Sequence, residues 1–422
     1  VADALAELSL TATPSSSSNL PPPPKGRFPL AQEEYTGALL KIYDADAAFR
    51  PASAVEVIGI VSAAPLPAPF VGEDGTGEGD EVLVPAIHVL LQPTPAFPAE
   101  PSPTDVTGTR AALVTHLATA FEPADPVAAE LLLLALIAHP TSRPGGLPLG
   151  TLALNLIRPA TGATGALLPT LQELLPAVVP LDLTLPLLHS AAFRPSSDGT
   201  TLTPGTLQLA PDTLLLVDED GLGTGGALAE KALRNVQALN DAIADQSLRY
   251  DYPYTDGVRI ETALRAVLTS EGKSLLPADV HVPVTLASAP SASAEELTHL
   301  RAYLSAMGAP AHAEKLAVPD NVAQIIQDAF VEDRRASGSG SAEAVEERLR
   351  RRMKVARLMA TSYPAAELTG EIWARTVALD AEVEARLKAR EEKRREGRLG
   401  APTEAAAVNG AVNGIAATEA AQ

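Results

Sequence analysis

Cysteine is absent from the 422 residues. Its absence excludes disulfides, thiolate zinc sites and cysteine nucleophiles together, and fits a reducing compartment. Basic charge is short as well: 32 Lys and Arg stand against 52 Asp and Glu, a formal net charge of −20. Broad capture of nucleic acid needs a basic face that displaces counterions from phosphates, so this balance argues against direct nucleic-acid binding by the whole chain, leaving room only for a local patch. Long apolar runs are also missing. The longest, LLLLALIA at 131–138, falls far short of the roughly 20 residues of a membrane span and reads as a buried helix. No metal or cofactor is expected, because the seven histidines are scattered without a pair at helical spacing, and no Ser-His-Asp arrangement stands out.

Proline, by contrast, is plentiful. Thirty-seven prolines in a chain that is 46% hydrophobic but only 4% aromatic describe globular segments alternating with Pro-rich joints, with room for two or three domains. No secretory leader is visible. The chain opens on Val1 and runs at once into TATPSSSSNLPPPPKG, which suggests a partial chain or one cut at a linker.

Residues 1–36 are Ser/Pro-rich and expected to be disordered, although Leu5, Leu8 and Leu10 offer a short adhesive segment. From 37 to 107, LLKIY, AVEVIGIVS and PAIHVLLQ read as three strands, with a possible bulge at Gly59 and a long acidic loop, GEDGTGEGDE, before the third. An OB-like barrel is one reading of this β-rich piece. From 108 to 290 strands alternate with helices. TRAALVTHLATAF and DPVAAELLLLALIAH read as helices, LPLGTLALNLI as a buried strand, and RPATGATG as a loop before the helix ALLPTLQELLPAV. LTPGTLQLAPDTLLLVDEDGL reads as a strand pair, ALAEKALRNVQALNDAIADQ as a helix, SLRYDYPYTDGVRIET as a hairpin and RAVLTSEGK as a further buried strand. That alternation predicts an α/β domain with a mainly parallel sheet. Residues 291–396 are predicted helical, broken by the flexible ASGSGSA, and the Ala/Asn/Gly tail 397–422 is expected to be disordered.

Two motifs hint at nucleotide chemistry. Gly272-Lys273-Ser274 is how a P-loop ends, but the earlier glycine of a P-loop would fall at Val267, and Leu275-Leu276-Pro277 does not open a helix. A surface loop after a strand is the simpler reading. The second motif is LLLVDE, whose Asp218-Glu219 has the form of a Walker B strand, an Asp for Mg²⁺ and a Glu for the attacking water. The preceding strand leads into RPATGATGALL, where a Walker A loop belongs. Gly162 and Gly165 keep the turn character there, yet no lysine or metal-binding hydroxyl stands at the required places. The chain therefore reads as an ATPase scaffold without its nucleotide grip. The basic clusters 347–354 (ERLRRRMK) and 388–395 (KAREEKRR) read as solvated helix faces, with nuclear import or partner contact as the sharper alternative.

The string LTSEGKSLLPAD, together with ALLKIYDADAAFRPASAVEVIGIVS, VPAIHVLL, LPLGTLALNLI and GTLQLAPDTLLLVDED in that order, resembles the mini-chromosome maintenance (MCM) complex-binding protein family from about residue 37 to about residue 380. The resemblance implies an α/β fold with a degenerate AAA+-like, MCM-like core, an N-terminal β-rich piece and a helical C-terminal part. It also implies a nuclear, non-catalytic partner of MCM helicase subunits that supports their assembly and promotes release of the helicase from chromatin late in S phase, with effects on sister-chromatid cohesion. Chromatin association would then be indirect. Family members carry an N-terminal region not recognised here. The alternative from another class is a divergent AAA+ ATPase remodeller relying on Asp218 and Glu219.

Overall fold

Buried strands in an α/β protein carry apolar side chains on both faces, and LALNLI, LLLVD and RAVLTS meet that demand. In the computed structural model the described residues are 38–43, 52–65, 83–91, 94–95, 104–159, 165–199, 202–223, 228–288, 297–337 and 342–400. Of the segments expected to be disordered, 1–36 and 401–422 lie outside them, as does the acidic loop 72–81, whereas 397–400, expected to belong to the tail, continue the last helix.

At the N-terminal end, β1 (Leu39–Lys41), β2 (Gly59–Pro65) and β3 (Leu83–Val89) form a three-stranded sheet of order β1-β3-β2. β1 runs parallel to β3, and β2 antiparallel to it. A side chain at Gly59 would strike the His88 carbonyl at 2.4 Å, so glycine is required by close backbone approach in a regular pairing.

The α/β part opens with two helices, α1 (Val106–Ala118) and α2 (Pro126–Ile137). Asp125 caps α2 by accepting from the Val127 and Ala128 N–H groups at 3.0 and 3.2 Å, and Pro126 occupies the first turn, where no N–H is needed. The chain then gives β4 (Ala153–Ile157), α3 (Leu167–Leu174), β5 (Val178–Asp182), α4 (Leu185–Ser190), β6 (Leu214–Asp218) and α5 (Glu230–Asn240). The hairpin β7 (Ser247–Tyr250) and β8 (Val258–Glu261) precedes β9 (Arg265–Ser270) and β10 (Val280–Pro283). β4, β5, β6, β9 and β10 form one five-stranded parallel sheet of order β10-β4-β9-β6-β5.

Both sheet edges escape sequence reading. β5 contains Pro180 and β10 ends in Pro283; proline argues against a central strand but is tolerated at an edge, where no neighbour needs its missing N–H. The expected strand pair at 202–222 is instead one sheet strand. Leu202–Thr203 pairs only with Ser196–Ser197, and turns fill the stretch before β6.

Alternate strand residues feed two cores. Leu154, Leu156, Leu214, Leu216, Val267 and Val282 face one side, covered by α1, α2 and α3 and by three later helices. Those are α6 (Leu297–Met307), α9 (Ala342–Thr361) and α10 (Gly370–Gly400), which follow chain order through α7 (Pro310–Ala313) and α8 (Asp320–Ser337). Val179, Leu181, Leu215, Val217 and Leu268 face the other side, covered by α4, α5 and the hairpin. Helices on both sides of residue 291 thus share one core with the sheet.

A buried carboxylate pins that shared core. Glu130 on α2 accepts from Arg110 on α1 at 2.7 Å and from Arg375 on α10 at 2.8 Å. Arg110 also donates to Ser362 Oγ at 2.8 Å, and its guanidinium lies 4.8 Å from the Tyr363 ring centroid. The Tyr303 hydroxyl of α6 donates to the Ser362 carbonyl at 2.6 Å, and burial pushes that phenol well above the ordinary tyrosine range.

The basic cluster 347–354 departs from the solvated-face expectation in part: Glu347 and Arg350 are exposed, while Arg348, Arg351, Arg352 and Lys354 are only partly so. Arg351 holds Asp380 and Glu384 at 2.7 Å, Arg352 bridges Asp380 at 2.7 Å and Asp333 at 3.0 Å, and Lys354 holds Asp279 at 2.6 Å. Its charges join helices to one another and to the sheet. In the second cluster, Lys388 and residues 391–395 are exposed as expected, and Arg390 is only partly so.

Replacing Glu130 by Ala leaves Arg110 buried without its carboxylate and is expected to cost about 3–5 kcal/mol. An exposed change such as Glu343→Ala should stay within about 0.5 kcal/mol. Urea unfolding followed by circular dichroism distinguishes the two.

Candidate functional site at the strand tips

In an open parallel sheet, ligand-binding residues collect beyond the carboxyl ends of the strands. Here the tips of β4, β9 and β6 are adjacent, and each carries polar groups.

β4 passes directly into Arg158, which is 3% exposed. Its Nη2 donates to both Asp218 oxygens, at 3.2 and 3.1 Å, and to Asp220. Asp218 Oδ1 accepts in addition the Asp220 N–H at 3.0 Å. A guanidinium therefore stands against the carboxylate that a Walker B motif would turn to Mg²⁺. Burial, with Asp218 beside it, raises the Asp220 carboxyl above its ordinary value against the pull of Arg158.

Glu219, 9% exposed, turns the other way. It accepts from Ser274 Oγ at 2.7 Å and from the Leu275 and Leu276 N–H groups at 3.2 and 3.3 Å. Burial raises its pKa, and the three donors oppose that shift. Three donors thus occupy most of the roughly four acceptor positions of this carboxylate, two on Oε1 and one on Oε2.

The partner of Glu219 is the Gly-Lys-Ser stretch. Residues 271–279 leave the tip of β9, cross the face of β4 and enter the start of β10, where Asp279 accepts the Ala153 N–H at 2.9 Å and donates its own N–H to the Ala153 carbonyl at 2.8 Å. Parallel strands are usually linked by a helix; here the crossover contains none. A connection that short must turn inward at fixed points. Ser274 and Leu276 are buried while Lys273 and Leu275 are exposed, and Leu276 joins the second core. The expected surface loop is thus a partly buried crossover.

Beneath it, Asn155 Nδ2 donates to Ser270 Oγ at 2.9 Å, and that hydroxyl donates to the Gly272 carbonyl at 2.9 Å. The second Asn155 N–H points to His281 Nδ1 at 3.1 Å, which makes that nitrogen an acceptor. Burial, then Arg351 and Lys273, hold the His281 imidazole below its ordinary value of 6.5.

The loop in the Walker A place is described only in part, since residues 160–164, Gly162 among them, lie outside the described residues. Gly165 lies against the Ser288 carbonyl, 2.6 Å from where a Cβ would stand, and the Ala166 N–H is bonded to the Ala287 carbonyl at 3.1 Å. A backbone donor at the start of α3 is therefore already engaged. From above, Arg390 of α10 donates to the carbonyls of Arg158 at 3.1 Å and Glu271 at 2.7 Å.

Sequence reasoning finds Asp218 and Glu219, and meets Ser274 and Arg390 only as members of the Gly-Lys-Ser motif and a basic cluster; it gives no role at the strand tips to these two, to Arg158 or to Asn155. An arginine immediately after a fully apolar strand was the available signal for Arg158. Among the described residues no cluster of His, Asp and Glu is arranged to hold a metal ion.

These features define an α/β protein in which the carboxylates of Asp218 and Glu219 are engaged from within the chain. The model of the mini-chromosome maintenance replisome factor family matches residues 5–387, and the chain belongs to that family. Mini-chromosome maintenance complex-binding proteins are among its relatives. That of Salmo salar is 30% identical over 84% of this chain and 63% of its own length. That of Homo sapiens is 28% identical over 86% and 63%, and that of Arabidopsis thaliana 28% identical over 87% and 66%. The chain spans a little under two thirds of the length of these relatives.

With His281 held neutral in the folded state, the unfolded chain binds the extra proton first on acidification. Its contribution to stability is complete above pH 6.5 and is lost as pH falls below that toward the lowered folded value. His281→Gln keeps an acceptor for Asn155 and should flatten the loss of stability below pH 6.5 relative to the parent chain, as read from urea midpoints at matched pH.

Proposed function

We propose that this chain is a non-catalytic adaptor or chaperone of MCM helicase subunits, built on a degenerate AAA+-like core. The observation that carries the reading is the engagement of Asp218 by Arg158 and of Glu219 by Ser274 and two backbone N–H groups, in a chain whose relatives are named for binding the MCM complex. A sheet in which the acidic-tipped strand, the Ser270 strand and the strand leading to a glycine-bearing loop are neighbours supports the AAA+-like reading. The mixed three-stranded sheet at the N-terminal end is the support for an OB-like piece.

On this reading the chain offers MCM subunits a subunit-like surface without ATP turnover. It acts in the nucleus, supports subunit assembly, promotes unloading of the MCM complex from chromatin in late S phase, and thereby bears on sister-chromatid cohesion. Chromatin is reached through the MCM subunits rather than by direct contact with nucleic acid. No helix among the described residues is long and apolar enough to cross a membrane.

Size-exclusion chromatography with light scattering tests the reading. Mixed with separately purified MCM subunits, the chain should give a complex whose mass fits one copy of it, equally with and without ATP. The competing ATPase reading predicts tight MgATP binding that is abolished in Asp218→Asn. That outcome in a titration would replace the adaptor with an enzyme.

A further inference from the structure

Beyond the strand tips, α10 and the loop 121–126 border an open cleft of about 560 Å³, lined also by Val284 and Thr285. This volume lies in the range of sites that take a ligand or a short peptide segment. Pro123, Pro126, Pro159 and Pro283 line it, and prolines restrict the backbone of a wall, so little of the ordering cost of docking falls on the cleft itself.

The α10 wall carries Arg386, Ala389, Arg390 and Lys393, one helical face by their spacing. Arg386 is neutralised by Asp125 and Glu382. Arg390 and Lys393 have no ion pair among the described residues, and the hydrogen bonds of Arg390 go to main-chain carbonyls. Burial, with Arg394 one turn on, pushes the Arg390 guanidinium below the usual arginine range, as expected where positive charge gathers without a counter-charge. Besides Asp125, Glu122 is the carboxylate lining the cleft. In a chain of net charge −20, uncompensated cations beside rigid apolar walls mark a surface complementary to negative charge.

We infer that this cleft docks an extended, acidic segment of a partner protein, its carboxylates set against Arg390 and Lys393 and its apolar side chains against the prolines. The inference rests on the adaptor reading for the partner, an MCM subunit, and adds the surface. A peptide fits better than nucleic acid because the apolar walls give nothing to a sugar-phosphate backbone, whereas they suit aliphatic side chains between carboxylates.

Ala389 and Lys393 are both exposed, so the full chain can carry Ala389→Trp, which fills the cleft, or Lys393→Glu, which reverses its charge, with the fold checked by circular dichroism. Each is titrated by calorimetry with the MCM subunit that the parent chain binds. Both variants should weaken binding by about tenfold or more, and the parent should lose affinity between about 50 and 200 mM salt. If the parent binds and both variants match it within about twofold, the cleft is not the docking surface. If the parent binds no subunit, the adaptor reading fails, and the assigned partner with it. If a single-stranded DNA oligonucleotide displaces the subunit from the parent and binds it, but not Ala389→Trp, the occupant is nucleic acid and the acidic-peptide assignment is overturned.

Discussion

A charge moved out of water must meet an opposite charge or a set of aimed donors, and three buried groups of this chain impose that rule on everything around them. Glu130 meets Arg110 and Arg375, which draws the first two helices and the last into one core. Arg158 meets Asp218 and Asp220, which closes the tip of β4 onto the tip of β6. Glu219 meets Ser274 and the two N–H groups after it. With only one of these pairs in place, the remaining charges would be buried at a cost of several kcal/mol each.

That rule also explains the distinctive string TSEGKSLLPAD. The stretch is conspicuous because a helix-free crossover over β4 leaves few choices. A hydroxyl must reach Glu219, an apolar side chain must fill the second core, and an acidic residue must close the start of the sheet. Its Gly-Lys-Ser resembles a phosphate loop only in spelling. Lysine at 273 faces solvent, and the serine serves a carboxylate.

The central strands and α2 were legible because apolar residues dominate them: β4, β9 and α2 fall within the stretches that read as buried, and β6 within one that read as a strand pair. The edge strands were not, since Pro180 and Pro283 erase the strand signal at the positions where an edge tolerates proline. At the site, Asp218 and Glu219 were legible from a local motif, whereas their partners come from 60 residues earlier and 55 residues later, a separation that no periodicity bridges. Part of the 347–354 cluster escaped for the same reason. Its arginines read as solvated until Asp333, Asp380 and Glu384 are brought alongside by helix packing.

The final helix has a mechanical consequence. Its 31 residues run about 45 Å, and it is fastened at successive rungs: Arg375 to Glu130, Asp380 to two arginines, Arg386 to Asp125, and Arg390 to the strand-tip carbonyls. A force or a competitor acting from its far end meets these fastenings one at a time, the strand-tip rung first and the Glu130 rung last. Loss of the strand-tip rung alone would therefore leave the root of the helix bolted to the core, like a hasp lifted from one side.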